Sequence, residues 1–237
     1  MTPPTVSTRR FRHISVGMFL CMLLLFVVTM PFLQGLGYGD LITAGLLTLI
    51  MASGVVLVGA SRVTVTIATV VAVPTVVAKW VNHYHPEWLP ASVYLAGGVL
   101  FLAFVVGHLL RFTLRAKRVS TDVLWAGIAI YLVLGILWTL AYLLIAQLVP
   151  DAFDFPGRAV SGRSLGGFEA LYFSFVTLST MGYGDVLPVA PVARMLAMVE
   201  AMTGVFFVSV LIARLVSLYT TEAALEGIGD SSKRQDP

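Results

Sequence analysis

Six long apolar runs separated by short polar connections constrain this 237-residue chain more than any other feature. A helix rises about 1.5 Å per residue, so about 20 apolar residues cross the roughly 30 Å hydrocarbon core of a bilayer. With 58% hydrophobic and 11% charged residues, the chain is too apolar for a soluble domain of this size. We therefore expect an integral membrane protein with spans at 14–33, 41–58, 63–81, 93–110, 123–149 and 192–219.

The basic residues of the short connections predict how these spans are oriented. Of the 15 Lys and Arg residues, 11 fall on one side of a six-span path and four on the other. Because positive residues concentrate in cytoplasmic loops, both termini are predicted to be cytoplasmic, in a multi-pass protein of the cell (plasma or inner) membrane. The net charge of +3 is spread over these loops, so nucleic acid is not an expected partner. Lys79, within the third span, is expected to snorkel toward the membrane surface.

Residues 177–185 read Thr-Leu-Ser-Thr-Met-Gly-Tyr-Gly-Asp and lie between the fifth and sixth apolar runs. Gly182 and Gly184 can adopt φ values closed to residues with a Cβ, so successive carbonyls can point toward one axis. A ring of backbone carbonyls from several chains can replace the water shell of a potassium ion. Non-helical backbone is tolerated at membrane depth only where it is buried in protein or lines a wet cavity. The run therefore predicts an ion filter.

This run resembles the selectivity filter of the potassium channel family, usually written Thr-x-x-Thr-Val-Gly-Tyr-Gly-Asp, and departs from it only at Met181. The resemblance covers about residues 168–219 and, more loosely, the fifth span. It implies that the permeating K⁺ meets the Thr180 hydroxyl and the backbone carbonyls of the filter, which belong to Thr180, Met181, Gly182 and Tyr183, followed by Gly184. Apart from K⁺ no cofactor is expected, and membrane lipids surround the protein.

The last two spans and the segment between them form one unit of outer helix, re-entrant pore helix and inner helix. Residues 168–179 can form a helix about 18 Å long, which reaches only mid-membrane, so the chain must then turn back. With one filter per chain, a carbonyl ring requires four subunits around a fourfold axis, and we expect a homotetramer. The expected fold is an all-α tetrameric channel with six transmembrane helices per chain. Its expected parts are a cytoplasmic segment (1–13), a four-helix transmembrane domain (14–118), a pore domain (119–219) and a disordered cytoplasmic tail (220–237).

The same resemblance assigns the residues beside the filter. Tyr172 and Phe173 stand where better-known relatives have tryptophans that brace the filter tyrosine. Because Phe173 cannot donate a hydrogen bond, Thr177 is expected to support the Tyr183 hydroxyl. Tyr172 and Asp185 complete the expected support of the filter.

Glu200 is the only acidic residue inside a predicted span, and a charge at a helix centre costs about 2.5–3.5 kcal/mol on insertion scales. Some relatives carry a glutamate on the pore helix behind the filter, but that position here is Val176. Glu200 is therefore a candidate to support the filter from behind. The alternative is a protonated or paired residue in the outer third of the helix, with Arg194 as its partner, and the sequence leaves both open.

Gly204 lies 24 residues after Thr180, where the family's inner helix has its bending glycine. It implies a gating hinge, although small residues here, including Ala197 and Ala201, also serve close helix packing. Below it, an apolar gate that closes by dewetting is expected at helical spacing, formed by Val205, Val208, Ile212 and Val216. The alternative for some of these four is contact with lipid or with a neighbouring helix.

The four leading spans occupy the position of a voltage sensor but lack its charges. A sensor helix carries Arg at every third residue within the membrane, whereas the fourth span has no Arg between 93 and 110. Arg111, Arg115 and Arg118 recur at its cytoplasmic end, where they anchor the helix. Spans one to three also lack acidic partners. We expect a channel that is not strongly voltage-gated, opened by the membrane, protons, ions, lipids or an unidentified regulatory ligand or protein.

Residues 37–40 repeat Gly-Tyr-Gly-Asp, but only about seven residues separate the first two spans, so no pore helix fits there. Turn chemistry explains these glycines. Phosphate-binding glycine loops and a recognisable nucleophile with its base are missing, so the chain is not expected to be an enzyme. A non-selective monovalent cation channel and an ion transporter subunit are the alternative functions.

Overall fold

The computed structural model describes residues 6–59, 61–116, 121–156 and 165–233, with side chains among them from residue 16 to residue 217. The described residues form seven α-helices and one pair of short antiparallel strands. In chain order the elements are α1 (Val6–Leu33), α2 (Gly39–Leu57), α3 (Arg62–Tyr84), α4 (Ala91–Arg115), α5 (Thr121–Leu148), β1 (Phe153–Asp154), α6 (Gly167–Leu178), β2 (Leu187–Pro188) and α7 (Pro191–Lys233).

Six of these helices, all except α6, are long and apolar enough to cross a membrane. Their ends lie close to those of the predicted spans, apart from the start of α1 and the end of α7. The chain is therefore an all-α, multi-pass membrane protein, as predicted. α6 has 12 residues, or about 18 Å, and reaches only part of the way across.

α7 continues to Lys233, whereas the sequence predicts a disordered tail from residue 220. Residues 222–226, Glu-Ala-Ala-Leu-Glu, are strong helix formers that follow a helix already in place. Adding a turn to an existing helix needs no new nucleus, so the helix propagates into the polar segment. Residues 1–5 and 234–237 of the predicted terminal segments lie outside the described residues.

The four leading helices pack against the fifth helix of the same chain. α4 lies along α5, to which residues 116–120 join it, and α1 packs against α5 as well. α1 also reaches α6, because Met30 lies against the start of that helix at Gly167. Directly after α1, Gln34 Nε2 lies 3.4 Å from Glu169 Oε2. α5 is therefore buried between the leading helices on one side and α6 and α7 on the other.

Lys79 is buried in the four-helix domain, and the prediction that it snorkels is wrong. Its Nζ lies 2.8 Å from Asp40 Oδ1 and 4.9 Å from the ring centre of Tyr94. His83 Nδ1 lies 2.6 Å from the other carboxylate oxygen of Asp40. Asp40 stands in the first turn of α2, where the helix dipole favours a negative charge. The second span therefore does hold an acidic partner, and the prediction that spans one to three lack one is wrong.

Asp40→Asn is expected to destabilise the four-helix domain, because it leaves the buried Lys79 ammonium without an anion. Since Asp40 itself is largely exposed, we expect a loss of about 1–3 kcal/mol, in the range for one lost partner of a buried polar group. Thermal unfolding in detergent should show a midpoint several degrees lower. Glu87→Gln, which removes the same charge from the exposed pair with His85, is the matched control and should change the midpoint little. Equal midpoints for the two variants would contradict the prediction.

Candidate ion-conduction site

α6 ends in hydrogen bonds that fold the chain back over its own carboxyl end. The Thr180 amide donates to the Thr177 carbonyl at 2.9 Å, and the Met181 amide donates to the Val176 carbonyl at 2.9 Å. Together with one left-handed residue, these two bonds form a Schellman cap. Thr180 is that residue, with a φ of 58°. The end of the helix therefore fixes where the predicted filter begins.

Positive φ recurs at every second residue of the predicted filter. Thr180, Gly182 and Gly184 have φ values of 58°, 56° and 81°, whereas Met181 and Tyr183 between them do not have positive φ. In an ordinary extended strand, successive residues face opposite sides. Alternating left- and right-handed residues instead turn successive peptide groups toward one side of the chain. This backbone has the geometry that a pathway lined by carbonyls requires.

Thr180 holds a conformation that is costly for threonine. Left-handed backbone costs a residue with a Cβ about 1–2 kcal/mol, and β-branched residues rarely adopt it. Glycine would relieve this strain at the C′ position of the cap. Unlike glycine, threonine carries a hydroxyl group at this position. This agrees with the expectation that Thr180 supplies the innermost ligand of the filter.

The structure brings Tyr172, Tyr183 and Asp185 together beside the filter. The rings of Tyr172 and Tyr183 stack, with their centres 6.2 Å apart and an angle of 5° between their planes. The Asp185 carboxylate, just after the predicted filter, lies close to the Tyr172 hydroxyl. Stacking of this kind contributes about 0.5–1.5 kcal/mol beyond the burial of the rings. Tyr172 thus contacts both the last aromatic residue of the filter and the acid that follows it.

The segment that follows the filter is tied to the rest of the chain at two points. β2 pairs with β1, with Phe153 opposite Pro188 and Asp154 opposite Leu187. Arg194 Nε donates to the Pro188 carbonyl at 3.1 Å. Arg194 is therefore bound to the return segment, and the alternative in which it pairs with Glu200 is not what the structure shows.

Glu200 lies at the junction of three helices, with its side chain fully buried. From α5, the Tyr142 hydroxyl hydrogen-bonds to its Oε2. From α6, Ser174 Oγ lies 2.6 Å from its Oε1, and the same Ser174 oxygen lies 2.7 Å from the Gly135 carbonyl of α5. Glu200 therefore contacts the pore helix at Ser174, less than two turns before Thr180, rather than the filter itself.

The Ser174 hydroxyl can donate only one hydrogen bond, so the protonation of Glu200 decides whether every polar group around it has a partner. The hydroxyl has one proton and two acceptors in reach, Glu200 Oε1 and the Gly135 carbonyl. A protonated Glu200 that donates to Ser174, while Ser174 donates to Gly135 and Tyr142 donates to Glu200, leaves no group unpaired. The network then carries no net charge in the membrane, which avoids the cost of an isolated buried ion.

Sequence reasoning missed Tyr142, Ser174 and Gly135, which belong to this network. Gly135 also lets the pore helix approach, because a Cβ there would lie 2.4 Å from the Phe175 ring. The sequence did show a Tyr and a Ser within two largely apolar segments, and it showed that Glu200 needed hydrogen-bond partners. Their spacing along the chain could not indicate that the three side chains meet.

Gly204 packs against the carboxyl end of the pore helix. A Cβ at Gly204 would lie only 2.0 Å from the Leu178 carbonyl oxygen, and the next nearest atoms also belong to Leu178. No side chain fits in this space. The structure thus gives Gly204 the close-packing role that was the alternative to a hinge, and the hinge itself stays a prediction.

The four predicted gate residues lie on the exposed side of α7. One stripe of the helix, which includes Ala193, Glu200 and Gly204, is buried against the rest of the chain. The gate residues fall outside this stripe and are between 42% and 57% exposed in the single chain, namely Val205, Val208, Ile212 and Val216. They are therefore free to face a central axis or a neighbouring subunit.

Thr177→Val is expected to weaken the filter, because the Thr177 hydroxyl is predicted to support the Tyr183 hydroxyl. Within the described part of one chain the two side chains do not hydrogen-bond, so the contact is predicted for the assembled pore. We expect K⁺ currents that decay faster during sustained recording, with the same unitary conductance. Thr66→Val, which removes a hydroxyl bonded only within α3, is the control. Wild-type decay and selectivity in Thr177→Val would refute this support.

Comparison with known proteins places this geometry in a family. A family model described as "Ion channel" matches residues 130–221, from within α5 to α7. Two-pore potassium channel 4 of Arabidopsis thaliana is 47% identical over 49 residues, which cover 21% of this chain and 17% of that protein. Protein LctB of Bacillus caldotenax is 32% identical over 100 residues, which cover 42% of this chain and 74% of that protein. The chain belongs to the potassium channel family.

The inward rectifier potassium channel Kirbac3.1 of Paramagnetospirillum magnetotacticum is a further relative of this chain. It is 30% identical over 95 residues, which cover 40% of this chain and 29% of that protein. The chain spans between 11% and 29% of the length of the first curated relatives it matches. Family membership points to a channel rather than an enzyme. Among the described residues, no cluster of three or more His, Cys, Asp or Glu side chains is suited to hold a metal ion.

Proposed function

We propose that the protein is a potassium-selective channel that conducts K⁺ passively through a homotetrameric pore. The observation that carries the proposal is the alternation of positive φ at Thr180, Gly182 and Gly184, directly after a capped helix that stops part-way across the membrane. Four such strands around an axis would surround the ion with carbonyl oxygens in place of water. The Thr180 hydroxyl is the innermost ligand.

The exposed surfaces of the single chain support assembly into a tetramer. The side chains of Met181 and Tyr183, two residues of the filter itself, are 57% and 65% exposed in the single chain, although the proposed pore places both at membrane depth. Beside them is an open cavity of about 430 Å³ lined by apolar residues that include Phe168, Phe175 and Met181. Neighbouring subunits cover this flank and the exposed face of α7 in the proposed assembly, because such large apolar surfaces mark interaction sites.

In the proposed orientation both termini are cytoplasmic, and the filter opens to the outside of the cell membrane. The carboxyl end of α6 then points toward the centre of the pore. A helix end of this kind carries about half a negative charge, so four of them favour a cation in the central cavity. Asp185 lies at the outer mouth.

Opening of the pore is not strongly voltage-dependent in this proposal. Among the described residues of α4, Arg occurs only at 111 and 115, both exposed near the carboxyl end of the helix. Lys79 is the one Lys or Arg buried in the leading helices as described, and it is already paired with Asp40. Few charges are therefore in a position to move across the membrane field.

Planar-bilayer recording of the purified protein tests the proposed function. With K⁺ on one side and Na⁺ on the other, we expect discrete unitary currents whose reversal potential shows a strong preference for K⁺. Gly182→Ala, which forces a Cβ into a residue with a φ of 56°, should lose this preference or conduct nothing. Equal permeation of Na⁺ would indicate a non-selective cation channel. Slow coupled flux without unitary currents would indicate a transporter subunit, and either result would overturn the proposal.

A further inference from the structure

Arg214 connects the inner helix to the end of the four-helix domain. It lies on α7, and its Nη2 donates to two carbonyls at the carboxyl end of α4, those of Ala116 at 2.8 Å and Leu114 at 3.2 Å. The last four carbonyls of a helix have no partner within the helix, and this helix end carries partial negative charge. The Arg214 guanidinium group supplies N–H donors for these carbonyls and a positive charge beside the negative end of the helix.

The connection is built into the packing of α7. One turn earlier, Leu211 contacts α5 at Gly127, where a Cβ would lie 3.0 Å from the Leu211 side chain. The glycine lets this stretch of α7 sit close to α5, so the Arg214 side chain can reach α4. Arg214 Nε is buried and has no hydrogen-bond partner among the described residues. Arg214 is therefore fixed against the protein, unlike an arginine that anchors a helix by extending into water at the membrane surface.

The predicted gate lies on the opposite face of the same stretch of α7. At 3.6 residues per turn, the angle around the helix from Arg214 is about 180° for Val205, about 160° for Ile212 and Val216, and about 120° for Val208. A movement of the gate residues away from the axis therefore moves Arg214 toward or past the end of α4. Bonds of 2.8 and 3.2 Å are lost when donor and acceptor separate by about 1 Å more, so they are specific to one position of α7 relative to α4.

We infer that Arg214 is a latch that couples the position of the four-helix domain to the gate within each subunit. It holds α7 in one gating position through the α4 carbonyls, and that position is lost when the bonds break. This inference rests on the proposed channel function. It makes the leading helices regulators of the pore, although they lack the charges of a voltage sensor.

The first test compares Arg214→Met with Arg115→Met in bilayer recordings of the full-length protein. Both variants remove one arginine from the same end of the molecule, but Arg115 is exposed and makes no hydrogen bond in the described part of the chain. We expect Arg214→Met to change the open probability at least fivefold relative to Arg115→Met, with unchanged unitary conductance and K⁺ preference. Arg214→Lys, which keeps the charge and can reach one carbonyl, should recover part of the effect. Equal open probability in the Met variants would overturn the latch.

A second test replaces the latch by a covalent link. In a Cys21→Ser background, Ala116→Cys and Arg214→Cys are joined by a short bismaleimide. If Arg214 holds one gating position, the link should shift the open probability in the direction opposite to Arg214→Met. A shift in the same direction, or none, would overturn the inference. Absence of K⁺ currents in the wild-type protein would instead mean that the proposed function is wrong.

Discussion

Gly204→Ala is expected to abolish K⁺ current and to lower the yield of folded protein. The added Cβ would lie 2.0 Å from the Leu178 carbonyl oxygen, so either α7 or the end of α6 must move by more than 1 Å. Overpacking of a core costs about 1–3 kcal/mol, and here the displaced atom belongs to the backbone that sets the position of Thr180. Thermal unfolding in detergent and bilayer recording measure the two effects.

Gly107→Ala is the matched control, because a Cβ there has no neighbour within 4 Å. Both glycines lie inside membrane helices, and alanine is the better helix former by about 0.5–1 kcal/mol. Gly107→Ala should therefore be neutral or slightly stabilising. If Gly204→Ala keeps wild-type stability and unitary conductance but opens less often, Gly204 is a hinge and the packing interpretation is wrong.

Glu200→Leu is expected to have the second-largest effect. It leaves the Tyr142 hydroxyl and one acceptor of Ser174 without a partner inside the protein. Each buried polar group left unpaired costs about 1–3 kcal/mol, so we expect a loss of roughly 2–5 kcal/mol of stability. Because Ser174 belongs to the pore helix, K⁺ currents should also decay faster or lose selectivity.

Glu200→Gln provides the comparison that identifies the cause. The glutamine carbonyl can accept from Tyr142 while its amide donates to Ser174, as a protonated Glu200 would. This variant should keep most of the stability and current. Tyr142→Phe and Ser174→Ala, alone and combined with Glu200→Leu, form double-mutant cycles that measure each contact. If Glu200→Leu and Glu200→Gln behave alike, the hydrogen bonds do not support the pore helix.

The sequence predicted the features that depend on local pattern. Six apolar runs and one short helix follow from hydropathy and length, and Gly182 and Gly184 adopt positive φ as their residue type allows. Thr180 also adopts positive φ, which its residue type argues against. That conformation follows from the cap at the end of α6, a property of hydrogen bonds rather than of threonine.

Features that depend on which helices meet could not be predicted. Glu200 was recognised as a residue that needs a partner, but Tyr142 and Ser174 come from two other helices at unrelated distances along the chain. The ion pair of Lys79 with Asp40 was missed because the predicted second span begins at residue 41, whereas α2 begins at Gly39. A boundary error of two residues hid an ion pair. The helical extension of α7 shows the same difficulty, since propagation depends on what precedes a segment.

The hydrogen bonds that end α6 also set the conformation of Thr180, where the proposed filter begins. Fraying of the last turn of that helix would release Thr180 and Met181 together, because both amides donate to its carbonyls. In the proposed pore, conduction therefore depends on the integrity of the last turn of α6. A substitution in the middle of α6, such as at Ser174, is therefore expected to alter K⁺ conduction, although Ser174 does not line the proposed path of the ion.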